Sequence, residues 1–378
     1  MRILHVATLF TPTGEFGGPT RVAVHQAAGL ARRGHCVTVT GAGRGWHTDT
    51  ELPPDIECRF FPAQRSVPGI GIAGLRSPSV TRFVASHVRD FDVAHIHLAR
   101  DLVTIPAARA IRRSGVPYVV QCHGMVDPTS KVLAGPLDRY ATVPVLTGAA
   151  RVLTLTDTEE TGLTAVAGRA LPFRRVVNGV PSTAANRVPS DPPEVLFLAR
   201  LDERKRPLHF VRAAATLLSR GVRARFTLIG PDGGQAADVD AAIAASGRAD
   251  AIHREPAIES DDVADRMRRA SIYVLPSVDE PFPMTVLEAM SVGVPVVVTA
   301  SCGLAPVIDD CGCGVVTDHS DDALRDAVAA LLADPGDATR RGVRGRERVR
   351  KDYSVGAVAA TLEAIYDECT SRPREDAG

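Results

Sequence analysis

The feature that most limits how this chain folds is a joint that occurs four times. A polar helix end meets glycine, and a β-branched run follows shortly after. The joint reads Arg32-Arg33-Gly34 before residues 36–40, and Arg113-Ser114-Gly115 before 116–120. It returns as Ser219-Arg220-Gly221 before 226–229 and Ser291-Val292-Gly293 before 294–299. Glycine past a helix end supplies the left-handed cap, and runs rich in valine and isoleucine suit buried parallel strands. Helix and strand alternating in this way imply parallel α/β sheets with right-handed crossovers.

Helical spacing agrees. Thr20 is placed to cap a segment carrying Val22, Ala23, Ala27, Leu30 and Ala31. Residues 260–262 open another with Val263, Ala264, Met267 and Ala270, and a third runs over 321–332. Residues 181–193 hold four prolines and no apolar period, which marks a linker. A fresh strand at 194–199 follows, as residues 1–7 open the first half. Two α/β domains of similar size with a cleft between them are expected, with loops at 64–79 and 230–234 and a frayed tail at 371–378.

Composition excludes some partners. Lys plus Arg number 44 against 44 Asp plus Glu, and aromatics make up 4%. Neither a basic field for nucleic acid nor a set of stacking platforms is present. The seven cysteines, an odd number, read as reduced thiols of a cytosolic protein, and Cys302, Cys311 and Cys313 lack paired zinc spacing. A strand starts at once, without a leader, and no run of about 18 apolar residues occurs, so the expected compartment is the cytoplasm.

Chemistry concentrates in a few loops. Residues 278–289, VDEPFPMTVLEA, lead from a strand into a helix that starts near Thr285. Helix starts favour anions, and Glu280 and Glu288 on either side suit hydroxyl groups. Thr285 and Glu288 also have the spacing of a capping box, which needs no ligand. Residues 198–207, LARLDERKRP, put Arg200 and Lys205 at the carboxyl end of a strand, where open sheets bind ligands. The pair suits phosphate oxygens; the plainer alternative is a solvated basic turn, to which Arg204 and Arg206 belong. Gly17-Gly18 closes a glycine-rich turn before the first helix, without the dinucleotide or P-loop spacing. His123-Gly124 ends another strand, with Asp127 nearby, and suits hydrogen bonding or proton movement. His95 and His97 share a strand face and are read as packing or cleft lining rather than as a metal pair. Residues 340–351 carry seven basic residues and one acidic one, read as a solvated helix face rather than a lipid contact.

These residues resemble the retaining, nucleotide-sugar-dependent glycosyltransferases of family 4, which have the GT-B fold. The match lies in the E-x7-E motif from Glu280 to Glu288 and in Arg200-x4-Lys205. Gly17-Gly18, His123-Gly124 and Asn178-Gly179-Val180 follow in the family's order. The resemblance covers nearly the whole chain. It implies two Rossmann-like, doubly wound parallel-sheet domains: 1–187 on the acceptor side and 188–353 on the donor side. Residues 354–378 would form a helix crossing back to the first domain, plus the tail.

The resemblance also implies roles. Arg200 and Lys205 neutralise the donor diphosphate as it leaves. Gly17 and Gly18, with the Pro283-Met284-Thr285 backbone, bind phosphate and sugar oxygens. Glu280 meets sugar hydroxyls, Glu288 the ribose, and His123 sits by the reacting sugar, while Asp127 faces the acceptor. No metal and no cofactor are expected, because the cations and helix dipole act in their place. Pro-Phe-Pro-Met replaces the commoner Pro-Phe-Gly, Pro181 stands where the family often has Asp, and a Glu usual near Gly303 is missing. The leading expectation is transfer of a hexose-type sugar, from a UDP-sugar in preference, to a hydroxyl acceptor of unassigned class. A sugar-nucleotide epimerase or hydrolase, and a non-catalytic nucleotide-sugar-binding subunit, are the alternatives.

Overall fold

The computed structural model describes residues 1–11, 18–45, 55–65, 74–129, 134–181, 187–259 and 262–371. It divides into two units, Met1–Gly179 with Val355–Gly378, and Val180–Ser354. The change-over lies at Val180, ahead of the proline-rich stretch. Val180 N–H donates to the Tyr353 carbonyl at 2.9 Å and pairs with Ser354, so it already belongs to the second unit. Residues 182–186 lie outside the described residues. Val188 and Ser190 beyond them donate to the Arg268 and Arg269 carbonyls, so this end of the expected linker is tied down.

In chain order the strands of the first unit are β1 (Arg2–Phe10), β2 (Cys36–Gly43), β3 (Glu57–Pro62), β4 (Gln64–Arg65) and β5 (Leu75–Arg76). They continue with β6 (Val93–His97), β7 (Tyr118–Gln121), β8 (Arg151–Thr154) and β9 (Phe173–Arg175). Seven of them make a parallel sheet in the order β3-β2-β1-β6-β7-β8-β9. β4 and β5 form a small antiparallel pair within the expected loop at 64–79. β1 is buried at every position after Arg2, so both faces of the sheet are covered. One face carries Leu4, Val6, Ile96 and Val120 against the helix Thr104–Ser114. The other carries Ile3, Val39 and Val119 against the helices Gly18–Ala31 and Val355–Thr370. Helix Gly18–Ala31 starts two residues before Thr20, which therefore sits in its first turn rather than capping it.

The second unit holds β10 (Glu194–Leu198), β11 (Arg225–Ile229), β12 (Ile252–Glu255), β13 (Ile272–Leu275), β14 (Val296–Thr299) and β15 (Gly314–Thr317). They pair in parallel in the order β12-β11-β10-β13-β14-β15. All four glycine joints stand at positive φ: Gly34 89°, Gly115 76°, Gly221 83° and Gly293 81°. Strand order reverses between β10 and β13, so the loops leaving these neighbours diverge and open a crevice at their carboxyl ends.

One reading is corrected and another is extended. Cys311 and Cys313 are joined as a disulfide, not held as ordinary thiols. Helix Ala305–Cys311 ends on Gly312 as its left-handed C-cap, and this turn brings the two Cα atoms to 5.3 Å, within bridging reach, which a search for paired zinc spacing overlooks. The basic run at 340–351 is not simply solvated. On helix Pro335–Arg348, Arg341 bonds Asp337, Arg344 the Gly312 carbonyl and Arg348 Asp310. Among the described residues, no helix is long and apolar enough to cross a membrane.

Candidate active site

In the second unit, β10 runs into Ala199 and the exposed Arg200. The glycine-rich loop after β11 supports this exit. Leu201 N–H donates to the Pro231 carbonyl at 2.9 Å, and Gly233 N–H to the Leu201 carbonyl at 3.0 Å. A Cβ on Gly233 would come within 2.8 Å of Arg200 Cγ, so the lack of a side chain there leaves room for the arginine stem. The chain then makes a short turn, Glu203–Lys205, whose cap is Asp202. The Asp202 carboxylate accepts from Lys205 N–H at 3.0 Å, which orients the lysine.

The facing loop leaves β13. Val278 N–H donates to the Arg204 carbonyl at 2.9 Å and stitches the two loops together. Asp279 has a positive φ of 48°, and its N–H donates to Ser301 Oγ at 3.0 Å. Glu280 follows, 7% exposed. Its Oε2 lies 2.5 Å from Lys205 Nζ and 3.6 Å from an Arg204 nitrogen. A nearly buried carboxylate between two cations is thus the centre of the site. Removal of one member would leave uncompensated charge at low dielectric.

Helix Met284–Ser291 starts next, with Pro283 as N-cap and no side-chain cap bond. Thr285 is inside the helix, so the capping box it would form with Glu288 is not made. Thr285 Oγ1 instead lies 2.7 Å from the Tyr273 hydroxyl, which is 3.1 Å from the Leu198 carbonyl oxygen. This buried tyrosine braces the helix start against the end of β10. Without a cap, the first N–H groups of the helix remain for an anion. Glu288 is half-buried on the same helix.

Arg204 and Arg206 are not parts of a free basic turn. Arg204 reaches Glu280, and Arg206, at φ 56°, donates to the Pro276 and His319 carbonyls. Arg200, Lys205 and Glu280 lie on adjoining loops of one crevice, with Pro283, Met284 and Thr285 at the helix start that follows.

In the first unit, His123 follows β7 in the left-handed region at φ 52°, where a non-glycine residue is held against its preference. Gly124 N–H donates to Glu159 Oε1 at 3.1 Å, and Leu155 N–H to Glu159 Oε2 at 2.8 Å, which pins the turn. Burial raises the Glu159 pKa. No local motif ties Glu159 to His123, because it comes from the helix Asp157–Ala167, far along the chain. Burial lowers the His123 pKa to about 3, so the ring is neutral. Asp127 is mostly exposed and shares Arg100 with Asp138: an Arg100 nitrogen lies 3.4 Å from Asp127 and another 2.8 Å from Asp138. Gly17 lies outside the described residues, and Gly18 opens the first helix.

His97 Nδ1 lies 2.8 Å from His123 Nε2, and His5 Nδ1 lies 3.2 Å from His97 Nε2. His5, His95 and His97 each place a ligand atom within 4.8 Å of the others. The His95 and His97 rings stack 18° apart with centroids 4.3 Å apart. Imidazole lone pairs lie in the ring plane, so these two point along separate planes and not at one ion.

The family model for glycosyl transferase 4-like domains matches residues 17–179, and that for glycosyl transferases group 1 matches 182–348. D-inositol 3-phosphate glycosyltransferase of Kineococcus radiotolerans is 30% identical, over 98% of this chain and 96% of its own length. The 2-deoxystreptamine glucosyltransferase of Streptomyces kanamyceticus is 28% identical, over 75% of this chain and 79% of its own. The solved structure of Anabaena Alr3699/HepE in complex with UDP-glucose superposes with a TM-score of 0.73 at 18% identity, covering 97% of this chain and all of the other (100%). Sequence, fold and motif order agree: the chain belongs to the family 4 glycosyltransferases, enzymes of GT-B fold that transfer sugar from nucleotide-sugar donors.

Proposed function

We propose that this enzyme transfers a hexose-type sugar from a UDP-sugar to a hydroxyl acceptor, with retention of anomeric configuration and without a metal ion. The observation that carries the reading is the Arg204–Glu280–Lys205 cluster beside the uncapped start of helix Met284–Ser291. A diphosphate there meets Lys205, the Arg200 fork and the helix N–H groups, including those of Met284 and Thr285. These positive groups do for the leaving diphosphate what a divalent ion does elsewhere. Glu280 and Glu288, on either side, accept from sugar and ribose hydroxyls. His123 meets the reacting sugar as a neutral ring. A UDP-hexose is favoured because a structural neighbour was solved with UDP-glucose, and relatives carry glucosyl- and inositol-phosphate-directed names.

In the transfer step the bond from the sugar C1 to the β-phosphate oxygen breaks. The acceptor oxygen bonds to C1 on the same face, and its proton passes to the departing phosphate. The experiment is transfer by Lys205→Ala, with binding of UDP measured alongside. Loss of one charge-stabilising donor predicts a fall in kcat of about 10²- to 10³-fold, at unchanged circular dichroism. Turnover near normal sinks the reading. Donor alone should hydrolyse slowly and equally with or without chelator. An epimerised sugar or rapid stoichiometric hydrolysis would identify an epimerase or hydrolase instead.

A further inference from the structure

The histidines beneath the His123 turn form a line through the first unit. His95 Nδ1 lies 2.7 Å from the Tyr366 hydroxyl, and that hydroxyl lies 3.5 Å from His5 Nε2. His5 Nδ1 then meets His97 Nε2 at 3.2 Å, and His97 Nδ1 meets His123 Nε2 at 2.8 Å. His5, His95 and Tyr366 are fully buried and His97 almost so. Three elements contribute: β1, β6 in register with it, and the C-terminal helix Val355–Thr370.

A neutral imidazole has one N–H, so it donates on one side and accepts on the other. Burial keeps these rings neutral, with His5 lowered to about 3 and His95 and His97 well below the usual value. Each link then dictates the next, and the line has only two polarities. In one, Tyr366 donates to His5, His5 to His97 and His97 to His123, while His95 donates to the Tyr366 oxygen. His95 Nε2 is then a bare lone pair. In the other, every bond reverses and His95 Nε2 becomes a buried N–H. His95 Nε2 has no hydrogen-bond partner. The Gln121 side chain bears on His95; its Oε1 accepts from Gln26 at 3.1 Å, and its Nε2 is a buried donor with no acceptor of its own, which suits a bare His95 Nε2. A buried N–H without an acceptor is rarer and costlier than an unmet lone pair, which favours the first polarity.

We propose that Tyr366, His5 and His97 are positioning residues that lock His123 as the Nδ1–H tautomer, so that it offers the site a hydrogen-bond donor and not a base. The value of this to catalysis rests on the reading above that His123 meets the donor sugar. The Tyr366 hydroxyl, on the C-terminal helix, accepts from His95 and sets the direction of the line by donating to His5.

The experiment is long-range ¹H–¹⁵N correlation of the full chain labelled in histidine, which shows which ring nitrogen carries the proton. In the native protein His123 should be protonated at Nδ1 and bare at Nε2. Tyr366→Phe and His97→Leu should give mixed tautomers. His97→Gln, whose amide accepts from His5 and donates to His123, should restore the single form. With one neutral hydrogen bond mis-set, kcat in Tyr366→Phe should fall roughly tenfold with KM for the donor nearly unchanged. A proton on Nε2 of His123 in the native protein, or a tautomer unmoved by both Tyr366→Phe and His97→Leu, overturns the proposal. Normal transfer by His123→Ala is a different failure. It removes His123 from the sugar, while the spectra, recorded without substrate, decide the line of bonds on their own.

Discussion

Lys205 shows how much a single side chain's reading depends on its partner. Its Nζ sits on Glu280, which is only 7% exposed, so a diphosphate must share or take over a charge that is already compensated. The residues of this pair were legible because each lies in a local motif, Arg200-x4-Lys205 or E-x7-E. Their pairing was not, and neither was the engagement of Arg204 and Arg206. The atoms those arginines meet come from loops some 70 or more positions away. The histidine line was hidden for a similar reason. Only the parallel register of β1 with β6 sets His5 beside His95, and a single sequence does not fix register. These rings make a prediction about acid. His5 and His123 have folded-state pKa values of about 3, below the 6.5 of an unfolded histidine. Between those values the unfolded chain binds more protons than the folded one. Stability is therefore fully present above about pH 6.5 and is lost as pH falls toward 3, by about 1.4 kcal/mol per pH unit for each extra proton. Urea midpoints measured from pH 7.5 to 4.5 should drop below pH 6.5, and less steeply in His5→Asn. A flat profile in the native protein would contradict neutral burial.

At the scale of elements, the site is two loops whose shapes are set by glycines with no room for a side chain. Gly303 N–H donates to the Glu280 carbonyl at 2.8 Å, and a Cβ on Gly303 would stand 1.8 Å from the Pro281 carbonyl oxygen. That oxygen is backbone, so Gly303→Ala must push the Glu280 loop away. The expected result is about 1–3 kcal/mol of destabilisation and a loss of transfer at least tenfold, greater than the stability change alone produces at 25 °C. Activity and thermal melting measured on the same preparation separate the two; unchanged kcat would show that the loop relaxes without moving Glu280. Glycines that cap helices were readable in advance, because Gly34, Gly115, Gly221 and Gly293 do a job that sequence pattern announces. Gly233 and Gly303 were not, since close approach of another loop leaves no local trace. The helix starts at Met284, near Thr285 as expected but one residue ahead of it. That shift turns Thr285 from a cap into a partner of Tyr273 and removes the ligand-free explanation of the Thr285–Glu288 spacing.

For the whole molecule, the telling fact is that the last helix belongs to the first unit. The alternation of helix and strand made both sheets readable, while the membership of a terminal amphipathic helix is decided by which core has an uncovered face. Val358, Leu362, Ile365 and Tyr366 join Ile3, Ala27, Leu30 and Val119 in one core. Burial of four such side chains stabilises by about 6–12 kcal/mol, comparable with the 5–15 kcal/mol that holds a typical domain together. A chain ending at Ser354 should therefore lose the first unit's fold and leave Val180–Ser354, with its own sheet, intact. A gentler change gives the same contrast in a full-length protein. A Cβ on Gly29 would lie 2.8 Å from Val355 Cγ1 and 2.9 Å from both Ala359 Cβ and the Val355 carbonyl oxygen, so Gly29→Leu should prise the terminal helix from helix Gly18–Ala31. Hydrogen exchange should rise across β1, β6 and the terminal helix in that variant and stay near native across β10 to β15. UDP should still bind, because every cation assigned to the diphosphate lies in the second unit, whereas transfer should fail with the His123 turn. Equal loss of protection in both sheets would mean that the two cores unfold as one, and that the terminal helix governs the stability of the whole chain.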